Sequence, residues 1–327
     1  MNLPFATRLN SFAADAARYW PGLPGKPGVL QMAARAATVE GLSALDLNYP
    51  DHFRDGDPAA LAREIRDLGL TITGLAMRYY TVPAFKAGAF TNADPAVRQQ
   101  AIALTKRGID VAREIGAPMM TLWLGEDGFD YPFQADYAWL WEREVEGIRE
   151  VASHDPEVAI SLEYKPNEPR PFCVLPDAAT TLLAIREVGL PNLGVTLDFA
   201  HSLYAGEQPA KAAALIARHS RLLGLHLNDG YGKRDDGLMV GAVHRLETVE
   251  LLRQIRRDGF QGAVYFDTFP DATGLDPVRE CAANIRTVRR MWAALDRLDA
   301  SNALAEAQGR HDAVEALQLV EAALADG

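Results

Sequence analysis

The sequence predicts an α/β protein in which eight parallel strands close into a (β/α)₈ barrel, followed by a short helical extension. Three observations carry that prediction. Apolar runs rich in Val, Ile, Leu and Thr occur eight times, each ending in polar residues. Amphipathic stretches of ten or more residues lie between them, and alternating β and α segments imply a parallel sheet. No GxGxxG follows the first run, and eight units suit closure better than an open doubly wound sheet.

In chain order, the expected strands are ATRLNSF (6–12), LSALDLNY (42–49), TITGLAM (71–77), PMMTLWLG (118–125), VAISLEYKP (158–166), LGVTLDFA (193–200), LLGLHLN (222–228) and AVYFDTF (263–269). Helical periodicity covers 58–68, 95–115, 135–152, 177–188, 209–219, 246–258 and 276–295. Several of these stretches open on Asp or Pro and close near Gly, as helix caps do. Segment 79–92, YYTVPAFKAGAFTN, is long, aromatic and punctuated by Pro83 and Gly88, which suits a flap over the barrel mouth. Beyond residue 298, Val314, Leu317, Val320 and Leu324 recur at helical spacing and need a surface to cover them. Residues 1–298 are therefore expected to form the barrel and 299–327 a C-terminal helical arm.

Composition narrows the function. The 327 residues are 48% hydrophobic and 24% charged, which allows a substantial core and bears no mark of disorder. A net charge of −11 argues against nucleic acid or an anionic membrane as the main partner, because a phosphate backbone needs a basic patch. Cys173 and Cys281 stand far apart without CxxC spacing, so neither a disulfide framework nor a thiolate zinc site is suggested. With no apolar signal-peptide core near the start, a cytoplasmic protein is expected.

Side chains at the C-terminal strand ends of such a barrel converge on one mouth. Strand five ends in SLEYKPNEP, with Glu163 and Lys165 two apart and hence on one face. Strand six ends in TLDFAH, placing His201 three residues after Asp198. Strand seven ends in LHLND with His226 and then Asp229, and strand eight in YFDTFP with Asp267. Each has a bland alternative: half of an ion pair, a helix cap, a satisfied core histidine. Four successive strands ending in Glu, Asp, His and Asp are harder to explain that way. Converging carboxylates repel unless a cation neutralises them, and carboxylate with imidazole is the ligand mixture of Mn²⁺, Mg²⁺, Co²⁺ or sometimes Zn²⁺. Glu163, Asp198, His226 and Asp267 are therefore expected to bind a divalent metal. The loop GYGKRDDGLMVG adds Asp235 and Asp236, and with His201 could hold a second, weaker ion; the Asp-Asp-Gly run could equally be a solvated turn.

At these residues the chain resembles the xylose-isomerase-like superfamily of TIM barrels and, within it, the bacterial L-rhamnose isomerases. The Glu-x-Lys of strand five and the Asp-x-x-His of strand six match that pattern closely. The resemblance implies a structural metal on Glu163, Asp198, His226 and Asp267, and a catalytic metal on His201 and Asp235, with Asp236 less firmly. Manganese is the favoured ion. TLWLGEDG is similar to the family's strand-four segment, which makes Trp123 an apolar wall beside the sugar, joined by His201 and the flap aromatics Phe85 and Phe90. Two departures stand out: Gly237 replaces the second acid of the family's Asp-x-Asp pair, and the ring-opening histidine has only His52 as a counterpart.

The implied reaction is aldose–ketose isomerisation of a small free sugar by a metal-assisted 1,2-hydride shift, with Lys165 donating to the C1 oxygen and Asp235 and His52 as further catalytic groups. The alternatives are a ketose 3-epimerase and the barrel subunit of a metal-dependent glycoside-cleaving lyase. A DNA-repair endonuclease would need more histidines and a basic face. A non-catalytic sugar-binding barrel would hold no metal. No cluster of Arg and Lys suggests a phosphate site. The apolar tail and the flap make a homodimer or homotetramer the expected assembly.

Overall fold

The computed structural model describes residues 4–20, 22–23 and 25–325. Eight parallel strands form one sheet: β1 (Phe5–Thr7), β2 (Ala44–Tyr49), β3 (Thr71–Met77), β4 (Met119–Trp123), β5 (Ala159–Glu163), β6 (Leu193–Asp198), β7 (Leu222–Leu227) and β8 (Val264–Phe266). Strands β2 to β8 pair in chain order, and β8 pairs in parallel with β1. The seam between β1 and β2 is closed by the parallel bridge Arg8–Asp46 and by the Ser43 N–H, which donates to the Phe5 carbonyl at 3.1 Å. This is a (β/α)₈ TIM barrel, surrounded by helices and without free sheet edges among the described residues.

The helices begin where the sequence places acids. Asp57, Asp94, Asp136, Asp177 and Asp276 each accept a first-turn backbone N–H, and Pro58, Pro95 and Pro277 occupy first-turn positions where a missing N–H costs nothing. The inner faces of strands and helices meet in one continuous core that includes Leu45, Leu75, Ile160, Val195, Leu225 and Phe266, all without solvent exposure.

Six strand expectations run past the observed strand at the mouth, those at 118–125, 158–166 and 222–228 by one to three residues, and the other three show why. The run 6–12 is extended only to Thr7; residues Leu9–Ala13 turn as a 3₁₀ helix, with the Ser11 hydroxyl donating to the Thr268 carbonyl at 2.8 Å. The run 193–200 stops at Asp198, because that carboxylate caps the helix Phe199–Tyr204. The run 263–269 stops at Phe266, after which the Phe269 N–H leaves the sheet to donate to the Gly237 carbonyl at 2.8 Å.

The segment 79–92 is a packed plug and not an open flap. It contains two 3₁₀ turns, Tyr79–Thr81 and Pro83–Ala87. Asp127 ties it down, accepting from the N–H groups of Ala89 (2.9 Å) and Thr91 (2.7 Å) and from the Thr91 hydroxyl (2.6 Å). At the other end, helices Ala303–Gly309 and Ala313–Ala325 fold back on the last barrel helix, Pro277–Leu298, where Arg297 Nη2 donates to the Ala323 carbonyl at 2.8 Å. Of the apolar stripe, Val320 and Leu324 pack against the core, whereas Val314 and Leu317 are 70% and 49% exposed. Residues 326 and 327 of the expected arm lie outside the described residues.

Candidate active site

Four adjacent strand ends bring one metal-capable side chain each to the mouth. Glu163 ends β5, Asp198 ends β6, His226 lies in β7 paired with Asp198, and Asp267 follows β8. One ligand atom from each falls within 4.8 Å of all the others. His226 Nδ1 lies 3.1 Å from Glu163 Oε1 and 4.0 Å from Asp198 Oδ2. Asp198 has no solvent exposure; its carboxylate accepts the His201 N–H at 2.9 Å and both oxygens receive Asn228 Nδ2, at 3.2 and 3.0 Å. The capping function considered for this residue and its place in the cluster are thus compatible.

The electrostatics describe a site built for positive charge. Burial, joined by Asp235, Asp267 and Glu163, pushes Asp198 up to about 7 despite His201. Asp267 is raised for the same first reason. Burial alone would lower His226, but Glu163, Asp267 and Asp198 overcome it and hold the imidazole up at about 10. Protons on His226 and Asp198 are the only charge relief that the four residues give one another. A divalent cation fits the same donor set without them: three oxygens and one imidazole nitrogen, converging and buried.

Beside the cluster, Lys165 Nζ donates to Asp235 Oδ2 at 3.0 Å, lies 3.1 Å from Glu168 Oε2, and sits 5.1 Å from the centre of the Trp123 ring. Burial disfavours its charge, but Asp235 and Glu168 more than restore it, so Lys165 is a cation. His201 presents Nδ1 to the Tyr164 carbonyl and Nε2 to Asp235 Oδ2, both at 3.1 Å. With acceptors on both sides, and with Asp198 and Asp235 outweighing burial, its pKa rises to about 9. Asp235 is lowered, burial being overcome by His201 and Lys165; its Oδ1 is buried without a partner. A cavity of about 260 Å³ opens onto Trp123, Glu163, Lys165, Glu168, His201, Asp235 and Asp267.

Several expected site residues lie elsewhere. His52 is buried away from the cavity, its Nδ1 accepting the Asn48 N–H at 3.0 Å and its Nε2 2.8 Å from Asn10 Oδ1; burial, then Arg78, lower it to about 4. Phe85 and Phe90 are 0% and 1% exposed and pack edge-on against Tyr79 at 6.1 and 5.6 Å, because the plug buries its apolar side chains inward. Tyr80 takes their place at the cavity, edge-on to Trp123 at 5.4 Å. Asp236 turns from the cluster to accept from the Tyr231 N–H and Arg234 Nε, each at 2.8 Å. Asp229 serves the same loop: it accepts from the N–H groups of Gly230, Val243 and His244, and pins both loop ends.

Gly237 has a physical reason. Its φ is +57°, and a Cβ there would lie 2.3 Å from the Phe269 ring, so no aspartate fits. The cavity wall also contains residues the sequence reading passed over: Arg8 after β1, Arg78 after β3, Thr121 in β4, Glu168 and Phe269. Arg78 directly follows β3, but Arg8 lay inside the expected strand 6–12, which the structure ends at Thr7.

The last four strands of the barrel thus present three carboxylates and an imidazole at the C-terminal mouth, with the buried Lys165 alongside. The chain belongs to the xylose isomerase-like TIM barrel family, whose family model matches residues 33–291. It is 29% identical over 243 residues to the xylose isomerase of Thermus thermophilus, a match covering 72% of this chain but only 63% of that protein. Among solved structures, an L-ribulose 3-epimerase superposes with a TM-score of 0.66 at 19% identity, covering 90% of this chain and 96% of the other. The D-allulose 3-epimerase from Methylomonas sp. superposes at 0.67 with 15% identity, covering 88% and 97%. These two likenesses show the fold.

Proposed function

We propose that this protein is a metal-dependent aldose–ketose isomerase that interconverts small sugars by an intramolecular hydride shift. The observation that carries the reading is the placement of Lys165, over the face of Trp123, in the cavity onto which the cluster opens through Glu163 and Asp267. The identity with a xylose isomerase supports it.

Glu163, Asp198, His226 and Asp267 would hold a divalent ion, with Mn²⁺ favoured and Mg²⁺ or Co²⁺ compatible with the donor set. When bound, it supplies Lewis-acid polarisation of neighbouring sugar oxygens. Hydride passes from C2 to C1 of the open aldose while the C2 hydroxyl proton is transferred to the C1 oxygen, so formula and oxidation state balance within one molecule. Lys165, kept charged by Asp235 and Glu168, donates to the oxygen that gains negative charge, and the contact strengthens as charge develops. Trp123 and Tyr80 form an apolar wall against which a sugar face packs and water is excluded. His201 and Asp235 hold a proton between them at the mouth. A second ion on His201 and Asp235 remains part of the proposal, supported by the unpartnered Asp235 Oδ1; Asp236 is left out. Exposed Val314 and Leu317 support self-association as a homodimer or homotetramer.

The test uses aldoses carrying deuterium at C2, with Mn²⁺ and with chelator. Expected is a ketose that keeps the label at C1, formed only with metal. Washout of label into water, epimerisation at C3, or activity that appears only with a second protein would replace this reading with proton transfer, a ketose 3-epimerase or a lyase subunit respectively.

A further inference from the structure

Two arginines line the cavity from the ends of β1 and β3, and they differ in what they hold. Arg8 is committed: Nη1 and Nη2 donate to the two Asp271 oxygens at 2.9 and 3.3 Å, and Nε lies 3.9 Å from Asp267. Arg78 is not. Its guanidinium lies 4.5 Å over the Tyr80 ring, its Nε is buried without a hydrogen-bond partner, and among the described residues no carboxylate comes within ion-pair distance of it. Burial and then repulsion from Arg8 work against its charge, and Asp267 and Asp51 offset them only in part from beyond ion-pair distance, yet a guanidinium stays protonated at neutral pH. A partly buried cation without a hydrogen-bonded anion is costly, and a ligand that supplies that anion recovers the cost.

The third cation on the cavity wall, Lys165, is already paired with Asp235 and Glu168. Among the described residues lining the cavity, Arg78 is therefore the cation still open to a ligand. We propose that Arg78 receives a carboxylate at the end of the substrate far from the Glu163, Asp198, His226 and Asp267 cluster, and that the substrate is a sugar acid. The assignment rests on the sugar-isomerase reading above. Two parallel N–H groups of one guanidinium match the two oxygens of a carboxylate, and one unpaired charge matches a monoanion. A phosphate ester brings a dianion and three oxygens, for which this wall offers no second free donor of like charge. The sequence expectation of an unphosphorylated sugar is kept; a neutral sugar is replaced by an acidic one.

The experiment compares a panel of aldoses, each matched to its uronic acid and its phosphate ester, at saturating Mn²⁺ for wild type, Arg78→Gln and Arg78→Lys. Wild type is expected to prefer the uronate. Arg78→Gln should lower the ratio of kcat/KM for uronate over neutral sugar about 100-fold, and Arg78→Lys, which keeps charge but loses the fork, less. Thermal unfolding of both variants checks the fold, and calorimetric binding of the uronates runs alongside. A ratio that moves less than about 3-fold, or a wild-type preference for the phosphate ester, overturns the proposal while leaving isomerisation intact. If no sugar is isomerised but a uronate binds wild type and not Arg78→Gln, the isomerase reading fails and the carboxylate site stands. Neither turnover nor Arg78-dependent binding would overturn both.

Discussion

The two halves of the barrel treat their strand ends in opposite ways. Strands β5 to β8 each deliver an acid or imidazole to a buried point: Glu163, Asp198, His226 and Asp267. Strands β1, β3 and β4 end in or beside Arg8, Arg78 and Trp123, a wall of cations and an aromatic face. The difference teaches how labour is divided across one mouth. The acidic half pays a desolvation cost that a bound cation offsets, and it is where bond rearrangement is stabilised. The other half carries little mutual repulsion beyond that between Arg8 and Arg78, and it selects what lies across from the metal.

The largest effect that would break this division comes from the centre of the acidic half. Asp198→Asn keeps a good helix cap and most of the side-chain volume but removes a negative ligand. Expected are a thermal midpoint within a few degrees of wild type when both are measured in chelator, bound metal greatly reduced after dialysis, and kcat lowered by on the order of 10³ or more. Elemental analysis and the deuterium assay read both quantities. An Asp198→Asn protein with full metal and full turnover would remove the acidic half from the chemistry.

Next in size is Lys165→Met, which tests whether charge stabilisation reaches across from β5 to the sugar. Loss of kcat by about 10² to 10³ with metal content unchanged is expected, the range typical of removing one preorganised donor. Unchanged turnover with metal still bound would confine Lys165 to its ion pairs with Asp235 and Glu168.

The same contrast explains what the sequence disclosed. The fold was legible because strand and helix periods differ and Asp caps mark helix starts such as Pro58–Asp67 and Pro95–Ile115. The convergence of Glu163, Asp198, His226 and Asp267 was legible because charged or imidazole side chains are rare at the end of apolar runs, and three acids and a histidine on successive strands are hard to dismiss. The opposite wall was not, because one Arg after a strand looks like any surface arginine until closure brings Arg8 and Arg78 into one cavity. Phe85 and Phe90 misled for a related reason: an aromatic loop reads as a lid until Asp127 is seen to tie its backbone down. Gly237 could be read only as a missing ligand; the Phe269 ring that excludes a side chain there arrives from β8.

The smallest effect concerns the seam where the halves meet. Glu280, on the helix behind β8, is 5% exposed, and burial pushes its carboxyl up to about 7. Because its folded pKa lies above the ordinary value of 4.5, the native state holds the proton more tightly than the unfolded chain. Its contribution to stability is then complete below about pH 4.5 and is lost as pH rises through 7. The shift corresponds to about 1–3 kcal/mol, which in a chain of this length is roughly 2–4 °C in Tm. Glu280→Gln keeps the shape and cannot ionise. Measured at saturating metal, it should unfold within a degree or so of wild type at pH 5 and roughly 2–4 °C above it at pH 8. A gap that is the same at both pH values would assign the effect to packing at position 280.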